Sequence, residues 1–201
     1  YGMNTKAIHT KKRVELPTGD VMPPIHLSTT FENTQPGEYE YFYGRSGNPT
    51  RELFERTMAS LEGVEDFESM HSFGMASGMA AVTLIGELVE PGENVVITRD
   101  VYGGTTRFFS QVMTKRGIEV NFCDLYDEEK LTSLINEKTK LVWFESPSNP
   151  RINIFDIAKY AEIVHKSNAY LVADGTFTSP FITNGHTTQM SSTMPSIRGC
   201  M

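Results

Sequence analysis

Apolar residues along the middle of the chain change repeatedly between two kinds of pattern. Short, nearly continuous apolar runs predict buried strands over residues 94–98, 119–122, 140–145 and 169–174. Longer segments with apolar residues three and four positions apart predict helices over residues 51–62, 79–89, 105–116 and 156–166, and one more after Asp127. Strands and helices that alternate through short connections are typical of a mostly parallel sheet with helices on both faces. The pattern therefore predicts an α/β fold, a three-layer sandwich.

Polar and small residues mark where these helices begin and end. Thr50 and Ser77 are the predicted N-caps of the first two helices. Gly63 and Gly117 follow helices, and glycine is the residue that most often ends a helix. One face of the helix 105–116 is expected to pack inward through Phe108, Phe109, Val112 and Met113.

The two ends of the chain lack this pattern. Residues 1–50 are rich in proline, threonine and glycine without a sustained period, which predicts an extended N-terminal arm with one short strand. Residues 51–184 form the predicted α/β domain. Residues 185–201 contain no acidic residue and no clear period, so we expect a disordered tail that does not continue the domain.

Composition excludes several classes of protein. The 201 residues carry 18 Lys+Arg against 25 Asp+Glu, a net charge of −7, which disfavours binding to the phosphate backbone of nucleic acids. No apolar run reaches the roughly 18 residues that a membrane span needs, and no secretory signal is visible. Cys123 and Cys200 are far apart in unrelated contexts, so neither a disulfide framework nor a metal site is predicted. We expect a cytoplasmic, reducing environment.

Three short sequences fall where a parallel sheet binds ligands, at the carboxyl ends of its strands. Residues 77–79, Ser-Gly-Met, begin a helix whose N–H groups suit an anion such as phosphate, or they form an ordinary serine cap. Asp174 ends an apolar strand and can bind a protonated ring nitrogen or a ribose hydroxyl, or simply form a turn. Residues 102–104, Tyr-Gly-Gly, offer a ring that can stack on a planar cofactor or pack in a loop.

Other fingerprints of catalysis or cofactor binding are absent from the sequence. There is no G-x-G-x-x-G after a strand and no G-x-x-x-x-G-K, which disfavours a nucleotide-binding α/β domain. There is no G-x-S-x-G nucleophile elbow, and the five histidines have no metal-ligand spacing.

Six short motifs follow one another along the chain: PPI at 23–25 with STTF at 28–31, YGRSGNPTR at 43–51, ASGMAA at 76–81, DVYGGT at 100–105, ESPSNP at 145–150 and DGTF at 174–177. Taken together, they resemble the cystathionine γ-lyase and cystathionine γ-synthase group of pyridoxal-phosphate enzymes. The resemblance extends over about residues 6–184, and six motifs in the same order make it specific. The resemblance implies the large domain of a fold type I enzyme that binds pyridoxal 5′-phosphate.

The resemblance also implies how the cofactor phosphate is held. Gly78 and Met79 match the residues whose backbone amides bind the phosphate. Tyr43 and Arg45 match residues that reach the cofactor phosphate of a neighbouring subunit, which implies a homo-oligomer, a homotetramer in that group. An arginine there adds a charge-assisted hydrogen bond.

Four further matches surround the cofactor ring in the group. Tyr102 matches an aromatic ring stacked on the pyridine, which is also proposed to carry a proton and is the catalytic residue expected here. Asp174 matches the carboxylate that faces the pyridine nitrogen and keeps it protonated. Asn149 matches a residue near the ring hydroxyl, and Thr176 one close to the ring.

The implied reaction is transsulfuration, with cystathionine γ-lyase as the first choice and a γ-replacing synthase as the alternative. Residues 140–145 and 23–31 resemble the eukaryotic lyase more, and Gly104 stands where methionine γ-lyase has cysteine. The group usually has Ser or Thr at the position of Gly44 and Asn at that of Gly175, so we expect weaker cofactor positioning.

The group also needs a lysine that binds the cofactor covalently, and it follows the position of Asp174. All nine lysines of this chain precede Asp174, so we expect that lysine and the smaller C-terminal domain to be absent. We therefore expect an inactive, truncated and aggregation-prone form. A non-catalytic subunit that pairs with a complete partner is the alternative from another class.

Overall fold

The computed structural model describes residues 2–9, 20, 22–33, 35–63, 72–124 and 126–182, and the backbone of residues 196–197. The chain divides into two compact units, Tyr1–Gly74 and Met75–Met201. The boundary lies later than the predicted end of the arm at residue 50, so the first long helix belongs to the N-terminal unit.

The N-terminal unit contains the helices α1, Met3–Ile8, and α2, Pro49–Leu61. The Asn48 side chain caps α2 by accepting hydrogen bonds from the N–H groups of Thr50 and Arg51, so Thr50 is not the N-cap predicted above. Pro49 fits the first helical position because no intrahelical hydrogen bond is lost there. Helix α1 lies where extended chain is predicted. It buries none of its residues, so no apolar period marks it.

The C-terminal unit is built on a parallel sheet with the strand order β2-β1-β3-β4-β5. The strands are β1 Asn94–Thr98, β2 Glu119–Cys123, β3 Thr139–Glu145, β4 Tyr170–Asp174 and β5 Ser196–Ile197. The four strands predicted from sequence are confirmed to within one residue at each end. Strand β5 falls in the segment predicted to be disordered; the rest of residues 185–201 lies outside the described residues.

Helices of the C-terminal unit are α3 Gly78–Gly86, α4 Gly103–Arg107, α5 Glu128–Leu134 and α6 Ile157–Val164. Ser77 caps α3 as predicted, through a 3.2 Å hydrogen bond from the Ala80 N–H. The segment predicted as one helix over residues 105–116 begins earlier, at Gly103, and continues as a π-helix, Phe108–Met113, and a 3₁₀ turn, Thr114–Arg116. The wider π turn leaves Val112 41% exposed, contrary to the expectation that it packs inward.

Two separate apolar clusters cover the two faces of the sheet. Alternate strand residues point to opposite faces, so Val95 and Ile97 join one cluster with α3 and the π-helix, and Val96 joins the other with α6. In the first cluster Gly86 lies against Phe108, where a Cβ would be 2.6 Å from the ring. Layers on both faces confirm the predicted three-layer α/β sandwich.

Candidate functional site

Strand β1 lies between β2 and β3, so the chain leaves β1 in one direction across the sheet and later returns on its other side. In open parallel sheets such a reversal opens a crevice at the carboxyl ends of the two strands. Tyr102 follows β1 at this edge, and Glu145 is the last residue of β3. The described part of the C-terminal unit therefore has its expected ligand-binding edge between these two residues.

The N-terminus of α3 carries the Gly78 and Met79 amides predicted to bind phosphate. The first N–H groups of a helix have no partner within it and, together with the helix dipole, favour an anion. Apart from the neighbouring residues and the backbone of α3 itself, no atom of the described residues lies within 4 Å of where a Cβ of Gly78 would be, so the space beside Gly78 is open to a ligand. This geometry fits a phosphate group.

The Tyr102 ring lies beside this helix N-terminus. A Cβ placed on Gly104 would be 2.4 Å from Tyr102 Cε1 and 2.8 Å from Met79 Sδ, so the ring, the thioether and the glycine meet at one point. The Tyr102 side chain is 49% exposed, which leaves ring surface available for stacking. The structure thus brings together the predicted phosphate-binding helix and the predicted stacking ring.

Asp174 ends β4 and is buried, with 8% of its surface exposed. Its Oδ1 accepts hydrogen bonds from the Thr176 N–H at 3.0 Å and the Thr176 hydroxyl at 2.6 Å, so the two predicted site residues are in direct contact. Hydrogen bonds of this kind favour the charged carboxylate.

Glu145 is a site residue that the sequence reasoning missed. Its Oε1 accepts the Tyr102 N–H at 2.7 Å, and its Cα pairs with that of Asp174 across β3 and β4. Burial is the main reason that the pKa of Glu145 rises to about 7; the charges of Asp174 and Asp100 add to the rise, and backbone hydrogen bonds from Tyr102 and Asn149 oppose it. The available signal was an acidic residue at the end of an apolar strand, the same signal that identified Asp174.

Asn149 lies in the loop after β3, which is tied to the loop after β1. The carboxylate of Asp100 accepts hydrogen bonds from the Ser148 hydroxyl and, at 3.0 Å, from the Asn153 side-chain amide. Ser148 is fully buried, and its hydroxyl also accepts the Asn153 N–H at 3.0 Å. These bonds hold the backbone around Asn149 near the carboxyl ends of β1 and β3.

Tyr43 and Arg45 lie next to each other in a turn of the N-terminal unit. The Arg45 guanidinium lies 5.0 Å from the centre of the Tyr43 ring. Arg51 holds the same turn, since its guanidinium donates to the carbonyl oxygens of Gly44 at 3.3 Å, Arg45 at 3.2 Å and Ser46 at 2.9 Å. A Cβ on Gly44 would be 3.1 Å from the Ser28 carbonyl oxygen, so this turn suits a glycine.

The described residues contain neither a membrane-spanning helix nor a cluster of metal-binding side chains. None of their helices is long and apolar enough to cross a bilayer. In the same part of the chain, no group of three or more His, Cys, Asp or Glu side chains could hold a metal ion.

Comparison with protein families gives one match over most of the chain. The model of the Cys/Met metabolism PLP-dependent enzymes matches residues 4–190. The match includes every predicted site residue from Tyr43 to Thr176 and extends slightly past residue 184, where the resemblance seen in the sequence ends.

Similar proteins carry several enzyme names. The chain is 44% identical over 182 residues to a cystathionine beta-lyase of Coxiella burnetii, covering 90% of this chain and 46% of that protein. It is 42% identical over 180 residues to the cystathionine gamma-lyase of Homo sapiens, covering 88% and 43%. The chain spans about half the length of the curated relatives it matches.

Solved structures agree with the sequence comparisons. The crystal structure of metB from Corynebacterium glutamicum superposes with a TM-score of 0.83 at 37% identity, covering 90% of this chain and 46% of that one. A cystathionine gamma-lyase from Lactobacillus plantarum, complexed with L-serine, also gives 0.83, at 32% identity and with the same coverage.

Proposed function

Because the chain belongs to the Cys/Met metabolism PLP-dependent enzyme family, we propose that it binds pyridoxal 5′-phosphate at the carboxyl edge of its sheet as part of a cystathionine γ-lyase-like enzyme. The proposed reaction cleaves the Cγ–S bond of cystathionine with water, giving cysteine, ammonia and 2-oxobutanoate. One observation carries the proposal: a helix N-terminus, a half-exposed ring and buried carboxylates lie along a single edge of the sheet.

The residues at this edge fit the phosphate and the ring of the cofactor. The Gly78 and Met79 N–H groups would hold the phosphate, because the space before α3 is open. The Tyr102 ring would stack on the pyridine. Asp174 would bind the ring nitrogen, and Asn149 the ring hydroxyl. Thr176 would orient the Asp174 carboxylate through the two hydrogen bonds that it donates.

Bound pyridoxal phosphate supplies an electron sink that makes bonds to the substrate Cα easier to break. The chain's own residues prepare that chemistry. The Asp174 carboxylate holds a proton on the ring nitrogen, since a buried negative charge favours a cation beside it. The Tyr102 hydroxyl, on a half-exposed ring, carries a proton to or from the substrate.

A γ-replacing synthase is the second candidate, because one relative 35% identical over 182 residues is a probable cystathionine gamma-synthase of Herpetosiphon aurantiacus. Because the chain is also similar to a cystathionine beta-lyase, cleavage of the Cβ–S bond is a third candidate reaction. The identity of the keto acid separates the two lyases: cleavage at Cγ gives 2-oxobutanoate and cleavage at Cβ gives pyruvate. A synthase instead joins cysteine to an activated homoserine.

The first test measures cofactor binding to the full chain. Trp143 is the single tryptophan and is fully buried on β3, two residues from Glu145. Pyridoxal phosphate absorbs in the range where tryptophan emits, so its binding should quench Trp143 fluorescence saturably. NAD is the comparison ligand for a nucleotide-binding domain. Quenching by NAD at similar concentrations, or none by pyridoxal phosphate, would contradict the proposal.

The second test adds cystathionine and identifies any keto acid. Formation of 2-oxobutanoate supports γ-cleavage, and pyruvate would replace it with β-cleavage. Saturable binding without any keto acid would contradict the proposed cleavage reaction while leaving cofactor binding intact.

The proposed enzyme is a homo-oligomer in the cytoplasm. Its support is the match of Tyr43 and Arg45 to residues that reach a neighbouring subunit's cofactor. The turn that carries them is fixed by the three hydrogen bonds from Arg51. Light scattering of the purified chain, with and without pyridoxal phosphate, tests the assembly; a strict monomer in both conditions would contradict it.

A further inference from the structure

Glu145 is a buried carboxylate within the candidate site, although none of the predicted roles uses it. Only 5% of its surface is exposed. It ends β3, one strand away from Asp174, with which its Cα is in register. Burying a carboxylate beside another acidic residue costs free energy unless hydrogen bonds or protonation offset it.

Glu145 interacts with both loops of the site. The 2.7 Å bond from the Tyr102 N–H fixes the residue that immediately precedes α4. The backbone of Asn149 favours the charged form of the same carboxylate and lowers its pKa. Glu145 thus joins the loop after β1 to the loop after β3, across the point where the strand order reverses.

We propose that Glu145 is a positioning residue of the cofactor site: by binding the Tyr102 backbone, its side chain sets the direction in which the Tyr102 ring points. The Tyr102 ring lies against the backbone of its own loop, since a Cβ on Gly104 would be 2.4 Å from Tyr102 Cε1, so a shift of this backbone moves the ring. The inference rests on the proposed function, since ring direction matters for a planar ligand stacked at this edge.

The charges that face Glu145 explain why glutamine is the informative replacement. Asp174 approaches from β4 and Asp100 from the loop after β1, and Arg151 lies 3.9 Å from Asp100. The substitution Glu145→Gln keeps an oxygen acceptor for the Tyr102 N–H but removes the negative charge. Glu145→Ala removes the acceptor and leaves the partly buried Tyr102 N–H without this partner.

The first measurement needs no cofactor. Amide hydrogen exchange of the Tyr102 N–H is followed by NMR in the full chain, the Glu145→Gln variant and the Glu145→Ala variant. We expect exchange about tenfold faster in Glu145→Ala and close to wild type in Glu145→Gln, because the amide side chain still accepts the bond. Glu93→Ala is the matched control, since Glu93 Oε2 also accepts a backbone N–H, that of Glu90 at 2.8 Å, beyond the other end of β1.

The second measurement tests whether Glu145 affects pyridoxal phosphate binding through the Tyr102 ring. Pyridoxal phosphate affinity is measured in Glu145→Ala, in Tyr102→Ala and in the double variant. We expect Glu145→Ala to weaken binding about tenfold alone and to add little once the Tyr102 ring is gone, a non-additive result. Inorganic phosphate, which needs only α3, should bind both single variants equally.

Failure of the proposed function and failure of the positioning role give different experimental results. A wild-type chain that does not bind pyridoxal phosphate contradicts the proposed function, whatever the exchange rates. Equal Tyr102 exchange in all Glu145 variants, or additive losses in the double variant, contradicts the positioning role while leaving cofactor binding intact. If Glu145→Ala does not fold, Glu145→Asp replaces it, because the shorter side chain withdraws the acceptor but keeps the charge.

Discussion

The Tyr102 ring occupies the space where a side chain at position 104 would begin: a Cβ on Gly104 would lie 2.4 Å from Tyr102 Cε1. Real side chains do not approach this closely, so any larger residue there must move the ring. The glycine therefore determines where the proposed stacking surface lies.

Gly104→Ala should weaken pyridoxal phosphate binding by about tenfold, because the methyl group displaces the Tyr102 ring. Quenching of Trp143 fluorescence measures the affinity. Gly103→Ala is the matched control, because a Cβ there would meet only the flexible end of Arg107, at 3.4 Å. Equal losses in the two variants would show that the ring position does not depend on Gly104.

Gly78→Ala should leave the stability of the chain nearly unchanged and weaken the binding of inorganic phosphate several-fold. Beyond α3 and its flanking residues, the described part of the chain places no atom within 4 Å of the new Cβ, but the methyl group would occupy the space in front of the α3 N–H groups.

Gly86→Ala, in the same helix, should give the reverse result. Its Cβ would be 2.6 Å from the Phe108 ring in the core, and such overpacking costs about 1–3 kcal/mol of unfolding free energy. Urea unfolding and phosphate titration of both variants test the pair. Loss of stability in Gly78→Ala would contradict the open space before α3.

The unfolding free energy should decrease as the pH rises, and Glu145 should cause part of this decrease. Its pKa in the folded chain is raised from 4.5 to about 7, so between these values the folded state binds more protons than the unfolded state. The stabilising contribution is complete below about pH 4.5 and is lost as the pH rises through 7.

Glu145→Gln should remove this part of the slope, on the order of 2 kcal/mol between pH 5 and 7. Urea unfolding followed by Trp143 fluorescence measures the difference from wild type at each pH. Glu93→Gln, the same change beyond the opposite end of β1, should keep the wild-type slope. If the Glu145→Gln variant and the wild type have identical slopes, the Glu145 carboxyl group of the wild type is charged throughout this pH range.

Arg51→Ala should loosen the turn that carries Tyr43 and Arg45, because three carbonyl oxygens lose their donor. We expect faster proteolytic cleavage within residues 44–46. Arg56→Ala is the control on the same helix, since Arg56 pairs with Glu52. Equal cleavage rates would show that backbone bonds alone hold the turn.

Much of the fold follows from local pattern. Strands such as β1 are buried on both faces, and their uninterrupted apolar runs mark their ends closely. The π-helix after α4 was not predicted, since apolar residues at 108, 109, 112 and 113 fit an ordinary helix equally well. Only packing against the sheet shows that Val112 points outward.

The candidate site was predicted less completely than the fold. Motifs identified Gly78, Tyr102 and Asp174 because each ends a strand or begins a helix. The contact of Gly104 with the Tyr102 ring and with Met79 depends on how α3 and α4 pack, which no local pattern encodes. Glu145 could have been found by the reasoning applied to Asp174.

The placement of β1 between β2 and β3 also bears on biosynthesis. A ribosome delivers β1 and β2 first, and these strands can pair while the other flank of β1 still lacks its neighbour. Helix α3 and Tyr102 have emerged by then, whereas Glu145 and Asp174 are added only with β3 and β4. A nascent chain paused between β2 and β3 would expose the open edge of β1 to chaperones. Its incomplete site would contain the Tyr102 ring but neither Glu145 nor Asp174.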